Sequence, residues 1–330
     1  MKSIAFTICS NNYLSQAKVL SDSVYKYSKD DYEFVIVLCD VFSDKIDYDE
    51  FHATFVEAKS LGIENFEWMV RYYNIVELNT AIKPFAFKYL ISNYNPPFIH
   101  YLDPDTRTYT SLKAIEEELN PNSSILLTPH ELAPLPFDGK HPSDNTFLNA
   151  GIYNLGVLGL RVSDESLKML DWWCEFLAEH CIIDHQHGFF VDQLPMELVP
   201  LFFNEVKVSR HRGINVAYWN LHERSISIKN DDYVVNEKYP LVLYHFSSYK
   251  SSKPDLMSWH CDRYEIDTPV LKKLFGDYCN EIVHTKQRLY KSVECEYTKR
   301  RNTFFRKNIY RFSYVLRTMI DKLCNKLDRI

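Results

Sequence analysis

An apolar run, Phe98-Ile99-His100-Tyr101-Leu102, ends abruptly in Asp103-Pro104-Asp105. The run has the length and residue types of a buried strand. Two carboxylates at the tip of such a strand are costly unless something positive binds there. Pro104 favours a turn, which lets both carboxylates reach one ion. Their oxygens suit a hard divalent cation, Mg²⁺ or Mn²⁺, that completes its shell with phosphate oxygens. The competing reading is a pair of turn or capping aspartates before a helix expected over residues 111–119. A second Asp-x-Asp, Asp47-Tyr48-Asp49, has no strand before it and reads as a solvated loop.

The segments around this motif alternate between strand and helix. Ser3–Cys9 and residues 33–39 read as strands. Leu14, Ala17, Leu20, Val24 and Tyr27 recur at helical spacing between them. Helices are expected over 51–61, 81–91 and 165–178, and strands over 124–128, 151–160 and 241–246. A Pro-rich loop occupies 129–142, and the chain reads as helical from Pro269 onward. Such alternation gives a mostly parallel sheet with right-handed crossovers. Ligands bind such sheets at the carboxyl ends of the strands. The residues to read are therefore Ser10-Asn11-Asn12, Asp40, and Asp103 with Asp105.

Composition narrows the function. A net charge of −6 argues against a general nucleic-acid binder. The eight cysteines form no C-x-x-C pair, so reduced thiols and a cytoplasmic setting are expected. No signal peptide is evident, and no stretch approaches the ~20 apolar residues of a membrane span. His185 and His187 near Cys181 fit no structural zinc spacing. A sugar nucleotidyltransferase would need a Gly-rich phosphate loop after the first strand, and no Gly lies between Met1 and Leu61.

The flanks of the acidic motif carry a resemblance. Thr80-Ala81-Ile82-Lys83-Pro84-Phe85, Tyr101-Leu102-Asp103-Pro104-Asp105, residues 148–156 from Leu148 to Gly156, residues 188–193 and residues 215–224 together resemble bacterial glycosyltransferases of the GT-A fold. The resemblance spans most of residues 1–260. More distantly, the pattern is similar to the retaining glycosyltransferases of family 8. In that family a late His is the third metal ligand, within His-x-x-Gly-x-x-Lys-Pro-Trp. Here His245 precedes Lys253-Pro254 with a longer spacing, and the Gly and Trp are missing.

The resemblance implies an α/β GT-A domain, Rossmann-like and nucleotide-sugar-binding, over residues 1–265, followed by a helical, basic region over 266–330. It implies Asp103, Asp105 and His245 as ligands of Mn²⁺ or Mg²⁺. It places Lys253, or else Lys250, on the diphosphate, and Lys83 near the nucleotide or its phosphates. Asn149, Ala150 and Gly151 would cradle the donor sugar, and Asp192 and Gln193 would lie near its anomeric carbon. Thr7, Cys9 and Asn12 would meet the base and ribose, in part through backbone groups. From their place in the stretch 215–224, Tyr218, Trp219 and His222 are expected on the acceptor side, with Tyr218 and Trp219 either stacking a sugar ring or packing in the core. The expected reaction moves a hexose from a UDP-linked donor to a glycan or lipid-linked glycan acceptor, with retention, during cell-surface polysaccharide synthesis. A non-catalytic glycan-binding or assembly protein on the same fold is the alternative.

Charge is distributed unevenly. Residues 285–330 carry 13 Lys and Arg against 4 Asp and Glu, and the rest carries 25 against 40. Between 304 and 327 apolar residues recur at helical spacing, with basic residues on the other face. Such a helix is expected to dock on an anionic membrane surface, which would make the protein peripheral on the inner face of the cell membrane.

Overall fold

The computed structural model describes residues 2–119 and 121–300, together with Leu316 and Met319. Its centre is a seven-stranded sheet that begins with β1 (Ser3–Cys9), α1 (Leu14–Ser28) and β2 (Tyr32–Leu38). Every residue of β1 is buried, as a strand covered on both faces must be. Ile4, Phe6 and Ile8 join one core, while Ala5 and Cys9 join the other with residues of α1.

The helix expected over 51–61 does not form. Thr54, Phe55 and Val56 are β-branched or aromatic, and they extend the sheet as β3 (Thr54–Glu57), parallel to β2. Ala58–Leu61 makes only a 3₁₀ turn. The short α2 (Phe66–Tyr72) and α3 (Ile75–Ala81) come next, the latter started by an Asn74–Glu77 capping box. α4 (Lys83–Tyr94) carries Pro84 in its first turn and stops at Asn95, which takes a φ of 46°.

The second half of the sheet contains one reversed strand. β4 (Phe98–Leu102) runs parallel to β1, followed by β5 (Thr106–Thr108) and α5 (Lys113–Glu118). Then come β6 (Ile125–Pro129), α6 (Asp144–Ala150), β7 (Tyr153–Arg161) and α7 (Asp164–His180). A small hairpin, β8 (Ile183–Asp184) with β9 (Phe189–Phe190), leads through α8 (Val199–Phe202) to β10 (Val206–Val208). The order is β10-β6-β7-β4-β1-β2-β3, and β7 alone is antiparallel to its neighbours. A three-stranded sheet, β11 (Ile226–Lys229), β12 (Asp232–Val235) and β13 (Tyr239–Pro240), precedes β14 (Leu243–His245).

Helices α9 (Pro269–His284), α10 (Gln287–Ser292) and α11 (Glu296–Arg300) follow. They pack on the sheet domain. Leu274, Phe275, Tyr278 and Ile282 of α9 share a core with Tyr109, Tyr244 and Phe246. Asp40, fully buried, spends its carboxylate on Asn11, Val41 N–H and the Glu296 N–H that opens α11. It is a structural clamp and not the ligand-facing group its place after β2 suggested. The seven described cysteines are free thiols. No described helix is long and apolar enough to cross a membrane. The amphipathic segment expected over 304–327 lies outside the described residues, apart from Leu316 and Met319, which are helical and exposed.

His100 of β4 is fully buried and 3.0 Å from the Tyr32 hydroxyl. Burial drops it from the ordinary 6.5 to about 3. Below about pH 6.5 the unfolded chain binds a proton that the native ring refuses, so stability falls as pH falls, by about 1.4 kcal/mol per pH unit. Replacing His100→Gln should remove that share of the slope. Urea unfolding between about pH 6.5 and 5 measures it, and an unchanged slope would contradict this account.

Candidate active site

The two aspartates are presented by a turn fixed at both ends. Asp103 N–H donates to Gly156 O at 2.9 Å, and Thr106 donates to Asp103 O through its N–H at 3.0 Å and its hydroxyl at 2.7 Å. The chain then enters β5, which pairs antiparallel with β14 so that Thr106 faces His245. Phe246 N–H closes the pairing on Asp105 O at 2.9 Å. Strand register thus delivers a distant histidine to the acidic turn. His245 Nε2 lies 3.0 Å from Asp105 Oδ1 and 3.7 Å from Asp103 Oδ2.

Ligand atoms of Asp103, Asp105 and His245 all lie within 4.8 Å of one another. The two carboxylates are partly open, while the histidine is buried behind them. Burial raises the Asp103 carboxyl above its ordinary range, against the lowering pull of Lys83 and His245. Burial alone would lower His245, but the Asp105 carboxylate and its hydrogen bond outweigh that and raise it. The cluster therefore favours added positive charge. Two carboxylates and an imidazole are a donor set that suits Mn²⁺ or Mg²⁺.

A chain of buried amides orients this histidine. His245 Nδ1 lies 3.3 Å from Asn215 Oδ1. Asn215 donates its amide to Asn154 Oδ1 at 2.9 Å and to Thr128 Oγ1 at 3.3 Å. Its oxygen is thus the acceptor for Nδ1–H, so Nε2 is the ring atom that faces the carboxylates, donating to Asp105 here and able to offer its lone pair to a cation once that proton is lost. Asn154 in turn donates to Gln193 Oε1 at 3.4 Å, and Gln193 donates to Ala150 O at 2.7 Å. Asn154 also meets His130 Nε2 at 3.3 Å, and burial holds that imidazole neutral, with its pKa lowered to about 3. One continuous network therefore links His245 to Gln193 and the Asn149–Gly151 segment.

Lys83 and Asp192 meet in the core. Lys83 Nζ lies 2.5 Å from Asp192 Oδ2, and both side chains are under 5% exposed, at 2% and 4%. The same nitrogen sits 4.0 Å over the Tyr101 ring, whose hydroxyl donates to Asp103 Oδ1 at 2.7 Å. Lys83 is thus no surface residue of α4, and Tyr101 joins it to the acidic turn. Val191, just before Asp192, adopts a φ of 40°. A β-branched residue there is strained, at about 1–3 kcal/mol.

Several residues named from the sequence stand elsewhere than expected. Thr7 and Cys9 are buried along β1, with their side chains packed inside the sheet domain. Asn12 is exposed just beyond that end. Asn149 is exposed and Ala150 half-buried at the end of α6, and Gly151 follows with a φ of 106° against the Gln193 backbone. Trp219 is 2% exposed, its ring edge-on to His245 at 5.1 Å and to His130 at 5.2 Å. It is packing behind the histidine and has no free face for a sugar. His222 commits Nε2 to Ala133 O at 2.6 Å and so pins the Pro-rich loop. Tyr218 is half-buried against Trp219. Lys253 is exposed, with Nζ 4.1 Å from the Trp259 ring, and Lys250 lies 5.1 Å from the same ring.

Tyr101, Gly156, Asn154, Asn215 and His130 were not singled out individually from sequence. Tyr101 lies in the strand that ends at Asp103, and the asparagines and glycine lie in the segments that carry the resemblance. Their roles depend on pairings that no spacing reveals. Gly156 is the sharpest case. A Cβ there would lie 2.5 Å from His245 Nδ1 and 2.6 Å from Asn154 Oδ1. Gly156→Ala should therefore displace the histidine and weaken Mn²⁺ binding about 10–100-fold while leaving the fold intact. Calorimetric titration with Mn²⁺, alongside circular dichroism, checks this; undiminished affinity would refute the orienting role.

No family model matches the chain. It is 27% identical to the uncharacterized protein YfnF of Bacillus subtilis (strain 168) over 211 residues, which cover 63% of this chain and 69% of that one. It is 23% identical to the uncharacterized protein YfnD of the same organism over 279 residues, 82% of this chain and 86% of that one. Among solved structures it is similar to an active-site mutant of the galactosyltransferase LgtC, at 15% identity and a TM-score of 0.51, over 88% of this chain and 100% of that one. The chain has the α/β fold of GT-A glycosyltransferases, with a helical C-terminal part, and the structures it resembles are those of glycosyltransferases.

Proposed function

We propose that this chain is a metal-dependent glycosyltransferase that moves a hexose from a UDP-linked donor to a glycan or lipid-linked glycan acceptor, with retention, in cell-surface polysaccharide synthesis. The observation that carries the reading is the convergence of Asp103, Asp105 and His245 beside a buried Lys83–Asp192 pair. A divalent cation held by those three side chains would neutralise a diphosphate leaving group. The chain's own residues supply the rest.

Lys83 places a fixed positive charge near Asp103, where it opposes the rise that burial imposes on that carboxyl. Asp192 and Gln193 are held as a unit, one gripped by Lys83 and the other by Asn154 and Ala150 O. A rigid pair of this kind fits the positioning of an anomeric carbon. Gly151 lets backbone approach the sugar side closely, because its φ of 106° excludes most side chains. Lys253 or Lys250 would meet the diphosphate after a small movement of an exposed side chain. Retention follows from the resemblance to family 8, with Asp192 beside the reacting carbon. The basic residues of 285–330 suit an anionic inner leaflet, where a lipid-linked acceptor would be found.

The wild-type protein should hydrolyse or transfer a UDP-hexose only with Mn²⁺ or Mg²⁺ present. Asp103→Asn should lower that rate by about 100-fold or more without unfolding the chain. A folded wild-type protein that turns over no nucleotide-sugar would favour the non-catalytic glycan binder instead. Vesicle sedimentation tests the membrane part: binding should need anionic lipid and weaken in high salt, and equal binding to neutral vesicles would count against it.

A further inference from the structure

The backbone of residues 149–152, where α6 ends, is held by side chains from a later stretch of chain. His185 Nδ1 lies 3.1 Å from Asn149 O. A carbonyl can only accept, so Nδ1 carries the proton. Gln193 Nε2 donates to Ala150 O at 2.7 Å. Ile152 N–H donates to Glu197 Oε1 at 3.0 Å. Each bond grips a different peptide plane: Asn149–Ala150, Ala150–Gly151 and Gly151–Ile152. Peptide units are planar, so holding three successive planes sets both dihedrals of Ala150 and of Gly151. Gly151, at a φ of 106°, is the residue with most freedom to lose. The two stretches also touch directly, since a Cβ on Gly151 would lie 3.2 Å from Gln193 C and from Leu194 Cα.

The stretch that grips is itself fixed. His185 lies in the turn between β8 and β9, with its ring stacked on Phe190 at 4.9 Å. Val191 N–H donates to Ile182 O at 3.0 Å and closes the hairpin. Glu197 sits in the 3₁₀ turn Leu194–Leu198, whose Pro195 and Met196 are buried. Neither gripping side chain is core: His185 is exposed and Glu197 half-buried. Within the gripped segment, the Asn149 side chain is exposed and makes no hydrogen bond among the described residues. A pinned backbone that carries a free amide is ordered before a ligand arrives, which is the condition for precise placement of that ligand.

We infer that His185 and Glu197 are positioning residues for the sugar end of the donor, acting through the 149–152 backbone and not by touching the sugar. His185 fixes the plane from which the Asn149 amide projects, and Glu197 fixes the plane that carries the Gly151 carbonyl. The inference rests on the nucleotide-sugar reading above, which assigns the sugar to this segment, and the test separates the two.

UDP-glucose, UDP-galactose and UDP-N-acetylglucosamine are assayed for hydrolysis by the full chain with Mn²⁺, and the fastest is carried forward. His185→Ala and Glu197→Ala should each lower kcat for that donor about three- to tenfold, the worth of one hydrogen bond. UDP, titrated calorimetrically with Mn²⁺, should bind both variants as it binds the wild type. Glu197→Gln should keep most of the wild-type rate, because its amide oxygen can still accept from Ile152 N–H. Wild-type rates in both alanine variants would overturn this inference and leave the enzyme reading standing. A matching loss of UDP affinity would overturn it too, since the changes would then be acting through the cation site or the fold. A Glu197→Gln rate as low as that of Glu197→Ala would mean that charge matters and not the backbone bond, and would remove Glu197 from the role. A folded wild type that hydrolyses none of the three donors would remove the donor reading and this inference with it.

Discussion

The structure is organised around an electrostatic difficulty. Asp103 and Asp105 emerge together from the tip of a buried strand, in a setting that penalises their charge. Within the protein the compensation comes from His245, which burial alone would make neutral and which the Asp105 carboxylate instead holds toward its charged form. Lys83 adds charge from behind, through the same pocket that contains Tyr101 and Asp192. His245, Lys83 and Asp192 are each distant in sequence from the acidic turn. The parallel run of β4, the reversed run of β7 and the β5–β14 pairing are what bring them together.

Holding such a cluster requires buried amides whose own polar atoms are partnered. The amides of Asn154, Asn215 and Gln193 form a chain in which each oxygen and nitrogen has a stated role. In a low-dielectric interior each such bond is stronger than in water, and each unmade bond is more costly. The network is therefore rigid as a unit. It also couples the histidine of the candidate metal site to the glutamine beside the candidate sugar site, so a change at either end is felt at the other. Trp219 and Phe147 close the network off with apolar faces packed on His245 and His130.

Much of the framework was legible in the sequence because β1, β2, β4 and the long helices are uniform in period. Where local signals conflicted, tertiary pairing decided. Residues 51–61 have helical spacing of apolar groups, but the free edge of β2 accepts Thr54–Glu57 as a strand. The acidic motif was legible because a charged pair after a buried strand is improbable without a reason. His245 was reached through resemblance, since nothing local distinguishes it from a core histidine. The amide chain was not legible at all. An asparagine's partners depend on register, and the register of β7 against β4 and β6 includes an irregularity between Leu127 and Pro129 that no pattern announces. Thr7 and Trp219 misled for the complementary reason: a position in the right segment does not say which face of the sheet a side chain takes.

The Lys83–Asp192 pair bears on why the site has this form. A buried ion pair is a poor device for stability, because desolvating two charges costs about as much as their attraction returns, and apolar residues of similar volume are often as good or better. Here the pair is accompanied by a second unfavourable feature, the positive φ of Val191 directly before Asp192. Neither follows from the needs of the sheet, whose core is otherwise apolar around Tyr101 and Leu155. Two costly features at adjacent residues, joined to the acidic turn through Lys83 and Tyr101, fit the proposed role of Asp192 as a carboxylate held in a fixed place for a ligand. The lysine fixes that carboxylate through their ion pair and, from the same place over the Tyr101 ring, favours the ionised form of Asp103.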